Sequence, residues 1–181
     1  VSKKIYVAAA ACSALVATGC SILQPEEQGL NPGEEIAVTT SQTPEYQPKD
    51  TPNQEVTSNL RAPVSDKGLG VEWRLQGVYA DSYQGSVLTI LVKNTNELPL
   101  PVDAIGDPVV EVADGNGGWT AVPLLGYDPA VNTDVMPPGL DEPLGSGAST
   151  NLQYRIGAAP GGLWNARLSI GNVTWIGDLN L

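Results

Sequence analysis

Residues 66–181 predict an all-β fold, an antiparallel β-sandwich, on three observations. Seven or eight short runs either alternate apolar and polar residues or concentrate β-branched ones, with Gly, Asn, Asp and Pro between them at near-regular spacing. The chain holds 20 Gly and 15 Pro among its 181 residues, and both are costly in helix interiors. No stretch sustains the 3.6-residue period of an amphipathic helix.

In chain order, Val71, Trp73, Leu75, Gly77 and Tyr79 alternate with Glu72, Arg74, Gln76 and Val78, the period of a half-buried strand. Asp81 to Gly85 carries turn chemistry. Ser86 to Lys93 is β-branched and apolar on both faces, which places it centrally in a sheet. Leu98-Pro-Leu-Pro-Val102 reads as a short edge-like stretch, since Pro cannot donate to a ladder. Pro108 to Ala113 and Trp119 to Leu124 flank Asp114-Gly-Asn-Gly-Gly118, a hairpin signal because these residues tolerate positive φ. Gly126 to Gly147 is long and irregular, with Pro129, Pro137, Pro138 and Pro143. Ser149 to Ile156, Trp164 to Ile170 and Val173 to Ile176 complete the predicted strands.

The residues before this domain read as an address and a tether. Lys3 and Lys4 precede a mostly small and apolar run of about 13 residues, roughly 20 Å as a helix and short for a bilayer core. The run ends Ala17-Thr18-Gly19-Cys20, which resembles a bacterial lipobox, although that pattern more often has Leu or Val where Ala17 stands. The expectation is a signal peptide over 1–19 and a lipid on Cys20, which leaves the mature chain with no free thiol. Residues 20–65 contain six Pro, and seven acids against Lys49 and Arg61, with large apolar residues rare and without period. Such a segment cannot bury enough apolar surface to offset its ordering entropy, so it is expected to be a disordered linker. The apolar island Glu34-Glu35-Ile36-Ala37-Val38 is the alternative there, as a partner-binding segment.

Three pieces of the domain carry a resemblance. They are the strand Ser86–Lys93 running into Asn94-Thr95-Asn96-Glu97-Leu98-Pro99-Leu100, the hairpin Val110–Val122 around Asp114-Gly115, and the closing strands Leu152–Ile156 and Ala166–Ile170. Together they resemble the immunoglobulin-like (DUF4352-like) domain of bacterial cell-envelope lipoproteins, over about two thirds of the chain. The resemblance implies an immunoglobulin-like sandwich and an envelope location, and it transfers no catalytic residue.

Composition excludes several function classes. With no histidine there is no Ser-His-Asp triad and no imidazole acid or base. A net charge of −11 argues against nucleic acid, whose affinity comes from Lys and Arg neutralising phosphates. A calcium loop starting at Asp114 would need Glu at its twelfth position, where Leu125 stands, so a hairpin turn is the better account. Asp103, Asp107, Asp128, Asp134, Asp141 and Glu142 are loop acids, read as a solvated acidic surface rather than as a glycosidase pair. Neither Lys67 nor Lys93 lies in a Ser-Lys motif.

Four Trp supply volume in a domain without Phe. Trp119, beside the hairpin tip, is the one expected to be exposed. The long loop offers Tyr127, Val131, Val135, Met136 and Leu140. The candidate partner contacts are therefore Trp119, Tyr127, Val135 and Met136, with no catalytic residue, cofactor or metal. The expectation is a non-enzymatic lipoprotein held to the extracytoplasmic face of a membrane through Cys20. Its domain would contact a protein partner, as an accessory subunit or assembly factor would. The alternative is a module binding a cation in the acidic loops or a glycan on an exposed Trp.

Overall fold

The computed structural model describes residues 44–181; the leader, Cys20, the Glu34–Val38 island and the linker as far as residue 43 lie outside the described residues. The described chain is all-β. Nine strands run in order: β1 Gln54–Val56, β2 Val64–Asp66, β3 Val71–Ala80, β4 Ser86–Asn94, β5 Val109–Ala113, β6 Trp119–Val122, β7 Ser149–Ile156, β8 Ala166–Ile170 and β9 Val173–Gly177. A single 3₁₀ turn, Pro160–Gly162, precedes β8. They form two sheets, β1-β9-β8-β5-β6 and β2-β3-β4-β7, packed on a shared core. This is the predicted β-sandwich, and β4 is an interior strand of its sheet as expected.

The alternation explains the core. Val71, Trp73 and Leu75 of β3, Leu88, Ile90 and Val92 of β4, and Leu152, Tyr154 and Ile156 of β7 face Val110, Ala166, Leu168, Ile170, Val173 and Trp175 of the other sheet. Trp73 and Trp175 are fully buried. Trp164 is not part of a strand, and its side chain is the most exposed Trp, at 68%.

The structure differs from the sequence reading at the domain boundary. Residues 44–65 belong to the fold rather than to a linker. β1 pairs in parallel with β9, Gln54 with Val173 and Val56 with Trp175, so the sandwich is not wholly antiparallel. β2 pairs with β3. Leu60 and Val64 are buried and Tyr46 and Val56 pack against the core. Strands of three residues are too short to show a period; β1 is ordered by a partner more than 100 residues away, with Gln54 N–H donating to the Asn172 carbonyl at 2.8 Å, and β2 by the neighbouring β3.

Asp66, at the end of β2, is 1% exposed and binds across the sandwich. Its Oδ1 accepts from Gly68 N–H at 2.9 Å, Leu69 N–H at 3.1 Å and Asn172 Nδ2 at 2.9 Å. Its Oδ2 accepts from Asn172 N–H at 2.9 Å and Trp73 Nε1 at 3.3 Å. Asn172 sits in the β8–β9 turn, so the carboxylate ties one sheet to the other. The turn needs Gly171, whose φ is +55° and where a Cβ would lie 2.5 Å from Asp66 Oδ2. Burial disfavours the charge on Asp66, but the hydrogen bonds from Asn172, Leu69 and Trp73 outweigh it and hold the carboxyl below its ordinary value of 3.8.

Asn94, fully buried at the end of β4, does similar work for the loops. Its Nδ2 donates to the carbonyls of Leu98 at 2.9 Å and Leu144 at 2.8 Å, and its Oδ1 accepts Asn96 N–H at 2.9 Å.

Replacing Asp66 by Ala should cost about 3 kcal/mol, because it strands the Trp73 indole N–H and the turn donors in a dry site. Urea unfolding of the wild type and D66A by tryptophan fluorescence checks it. The folded pKa of Asp66 is depressed, so its stabilisation is complete above the unfolded value and is lost as pH falls through the folded one. The wild-type advantage over D66A should therefore hold at pH 7 and shrink below about pH 4.

Candidate functional site at the edge of the second sheet

Four strands form sheet edges. β1, β2 and β6 are three, three and four residues long, whereas β7 has eight. Short edges are self-protecting, and a long one is a template for further pairing. After β6 the chain crosses to β7: Gly157 N–H donates to the Pro123 carbonyl, and Leu125 N–H to the Arg155 carbonyl, both at 2.8 Å. These bonds show that the odd-numbered residues of β7 turn their backbone groups away from β4.

The pairing stops at Gly126, and Arg155 is the reason. Its guanidinium donates through Nη1 to the Gly126 carbonyl and through Nε to Asp81 Oδ2, both at 2.5 Å. Gly126 is thereby drawn off the strand. The Arg155 and Asp81 side chains are 8% and 1% exposed. Burial raises the Asp81 pKa, but the Tyr83 N–H and the Arg155 guanidinium prevail and hold it below the usual carboxylate range.

Beside the departing chain lies a cleft of about 150 Å³. Leu124, Leu125, Tyr127, Met136 and Pro138 supply its apolar walls, the β7 edge at Gln153–Arg155 its back, and Asp107 its one carboxylate. Met136 is fixed there by its N–H, which donates to Gln153 Oε1 at 2.7 Å. Tyr154 also lines the cleft. It is 2% exposed and its hydroxyl has no hydrogen-bond partner among the described residues. Burial, then the charge of Asp107, push that phenol up to about 12. The cleft is smaller than the ~300–1,000 Å³ of most small-molecule sites. It fits one apolar side chain, carried on an extended segment whose backbone can pair with the free groups of β7.

The four candidate contacts do not converge. Tyr127 and Met136 wall the cleft together, and Met136 is 51% exposed. Val135 turns inward at 8% exposure, because the Asp128–Asn132 turn, held by Asn132 N–H to the Asp128 carbonyl at 2.7 Å, directs the chain back toward the sheet; it is removed from the contact set. Trp119 lies on β6 and is half-buried, with the Arg167 guanidinium 4.8 Å from its ring centroid and Glu111 bonded to that same Arg. Its face is occupied, and the exposed Trp is Trp164 instead. Leu124, Pro138 and Arg155 were not read from the sequence as site residues. The signal for Arg155 was slight: an Arg at the end of an otherwise uncharged strand.

The remaining carboxylates have structural partners or stand apart. Asp114 Oδ1 accepts Asn116 N–H at 2.7 Å and Gly118 N–H at 2.9 Å, the expected hairpin turn. Among the described residues no group of three or more His, Cys, Asp or Glu comes together. Comparison with protein-family models, curated proteins and solved structures finds no match to the chain.

Two outcomes test this site. Arg155→Met should lose about 1–2 kcal/mol in urea unfolding, since Asp81 keeps the Tyr83 N–H but loses its guanidinium partner. Tyr154→Phe should change stability by less than about 1 kcal/mol, because the hydroxyl it removes has no partner to lose.

Proposed function

We propose that this chain is a non-enzymatic, exported lipoprotein, anchored through lipid on Cys20, whose β-sandwich contacts a protein partner on the extracytoplasmic face. The observation that supports the contact is the long, incompletely paired edge of β7 beside an apolar cleft walled by Tyr127 and Met136. The anchor is supported by the order of charge, apolar run, small residues and cysteine over residues 3–20. Removal of Lys3 and Lys4 with the leader takes the net charge from −11 to −13, so an anionic lipid surface repels the protein and the acyl chains must hold it there. The non-enzymatic reading is supported by the use of Asp66, Asp81 and Glu111 in hydrogen bonds and ion pairs that hold the fold.

Membrane extraction and native co-purification through a C-terminal tag test the partner. A membrane complex recovered in fixed ratio, and lost in Met136→Asp with folding intact, is the expected result. Elution of the protein alone refutes the reading. Cys20→Ala should abolish incorporation of a labelled fatty acid and shift the protein from the detergent phase to the aqueous phase in phase partition. Retention of the label would end the lipoprotein reading.

A further inference from the structure

The outer face of the second sheet carries a trough that shares only Gln153 with the partner cleft. Three cross-strand rows define it. Arg74, Leu91 and Asn151 form one row and Tyr79, Val87 and Arg155 another. Between them the row Gly77, Thr89, Gln153 is low, because it begins on a glycine.

That glycine is compulsory. The register shifts between Leu75 and Gly77, Gly77 has φ +109°, and a Cβ there would sit 3.1 Å from the Leu181 backbone nitrogen. The dip is therefore a consequence of the β-bulge and of the C-terminus packed beneath it.

Two side-chain bridges fence the dip. On one side Gln76 Nε2 donates to Asn151 Oδ1 at 2.9 Å; on the other Gln153 Nε2 donates to the Tyr79 hydroxyl at 3.3 Å. Thr89 lies on the floor at 8% exposure, and its hydroxyl has no hydrogen-bond partner among the described residues. The trough is a shallow, solvent-open groove of about 400 Å³.

Its chemistry is distinctive for this protein. In a chain of net charge −11, the lining of the trough has no charged side chain. It offers planar amides, two hydroxyls and the half-exposed ring of Tyr79. Amides and hydroxyls both donate and accept, and a phenol ring presents an apolar face with a polar tip. A ligand matching this set is neutral, carries several hydroxyls that donate and accept in turn, and has a C–H face to lie on an aromatic ring. We propose that the trough is a saccharide-binding site, sized for one or two sugar rings, with Tyr79 as the platform and Gln76, Asn151, Gln153 and Thr89 as the hydrogen-bonding groups. The trough meets the partner cleft at Gln153 alone, so shifts at Gln76, Tyr79, Thr89 and Asn151 report on the trough and not on the cleft.

The test is a titration of the ¹⁵N-labelled full chain with chitobiose, cellobiose, maltose and mannobiose in turn, followed by amide and side-chain NH₂ shifts. The expected result is that at least one disaccharide moves the resonances of Gln76, Tyr79, Thr89, Asn151 and Gln153, with millimolar affinity. Tyr79→Ala and Asn151→Ala, both at exposed positions that the core does not depend on, should each weaken that binding about fivefold or more. Thr89→Val, close in shape, should weaken it while leaving the spectrum folded. The proposal is overturned if no disaccharide shifts these resonances, if the shifts gather instead around Trp164, or if the folded variants bind as tightly as the wild type.

Discussion

The carboxylate of Asp66 receives hydrogen bonds from three stretches of chain: its own turn at Gly68 and Leu69, the indole of Trp73 in the core, and both nitrogens of Asn172 in the β8–β9 turn. A buried charge is tolerable only when its lone pairs are filled, so its position dictates theirs. The β2 edge, the Trp73 rotamer and the hairpin closing the first sheet are set together. The Asn172 carbonyl then receives Gln54 N–H, and β1 is laid down from that point. A change in this group reaches both sheets, because no other described side chain bonds to all three stretches.

The opposite end is organised by a second buried charge with a different consequence. Arg155 satisfies Asp81 and captures the Gly126 carbonyl, which pulls the crossing chain away from β7 before the edge is fully paired. A structural ion pair thus leaves the openings that the proposed function uses. Asp107 is the one carboxylate that lines that cleft, and the loop from Gly126 to Gly147 carries four acids and no Lys or Arg. A partner segment would be favoured by basic residues flanking its apolar side chain.

Much of the strand content was legible in the sequence. β3, β4 and β7 begin and end within a residue of their predicted bounds, because long alternating or β-branched runs leave little choice of face. The hairpin at Asp114 was legible for the same local reason, since its side chain closes its own turn. β1 and β2 were not, because three residues are too few to show a period and the partner of β1, β9, lies at the far end of the chain. Of the site, the long loop was legible as a feature, but not which of its apolar residues turn outward. Val135 and Met136 are neighbours, and the turn geometry alone sends one inward and the other to the surface.

By itself the sequence determined that the chain past residue 66 is all-β and that the long strands present particular faces to a core, because periodicity and composition are local properties. Only the tertiary structure decided where the domain begins, which edge remains open, that Trp119 is covered while Trp164 is bare, and that a glycine bulge hollows the outer sheet face. Each of these depends on partners far apart in sequence whose hydrogen bonds and contacts exist only once the two sheets have met.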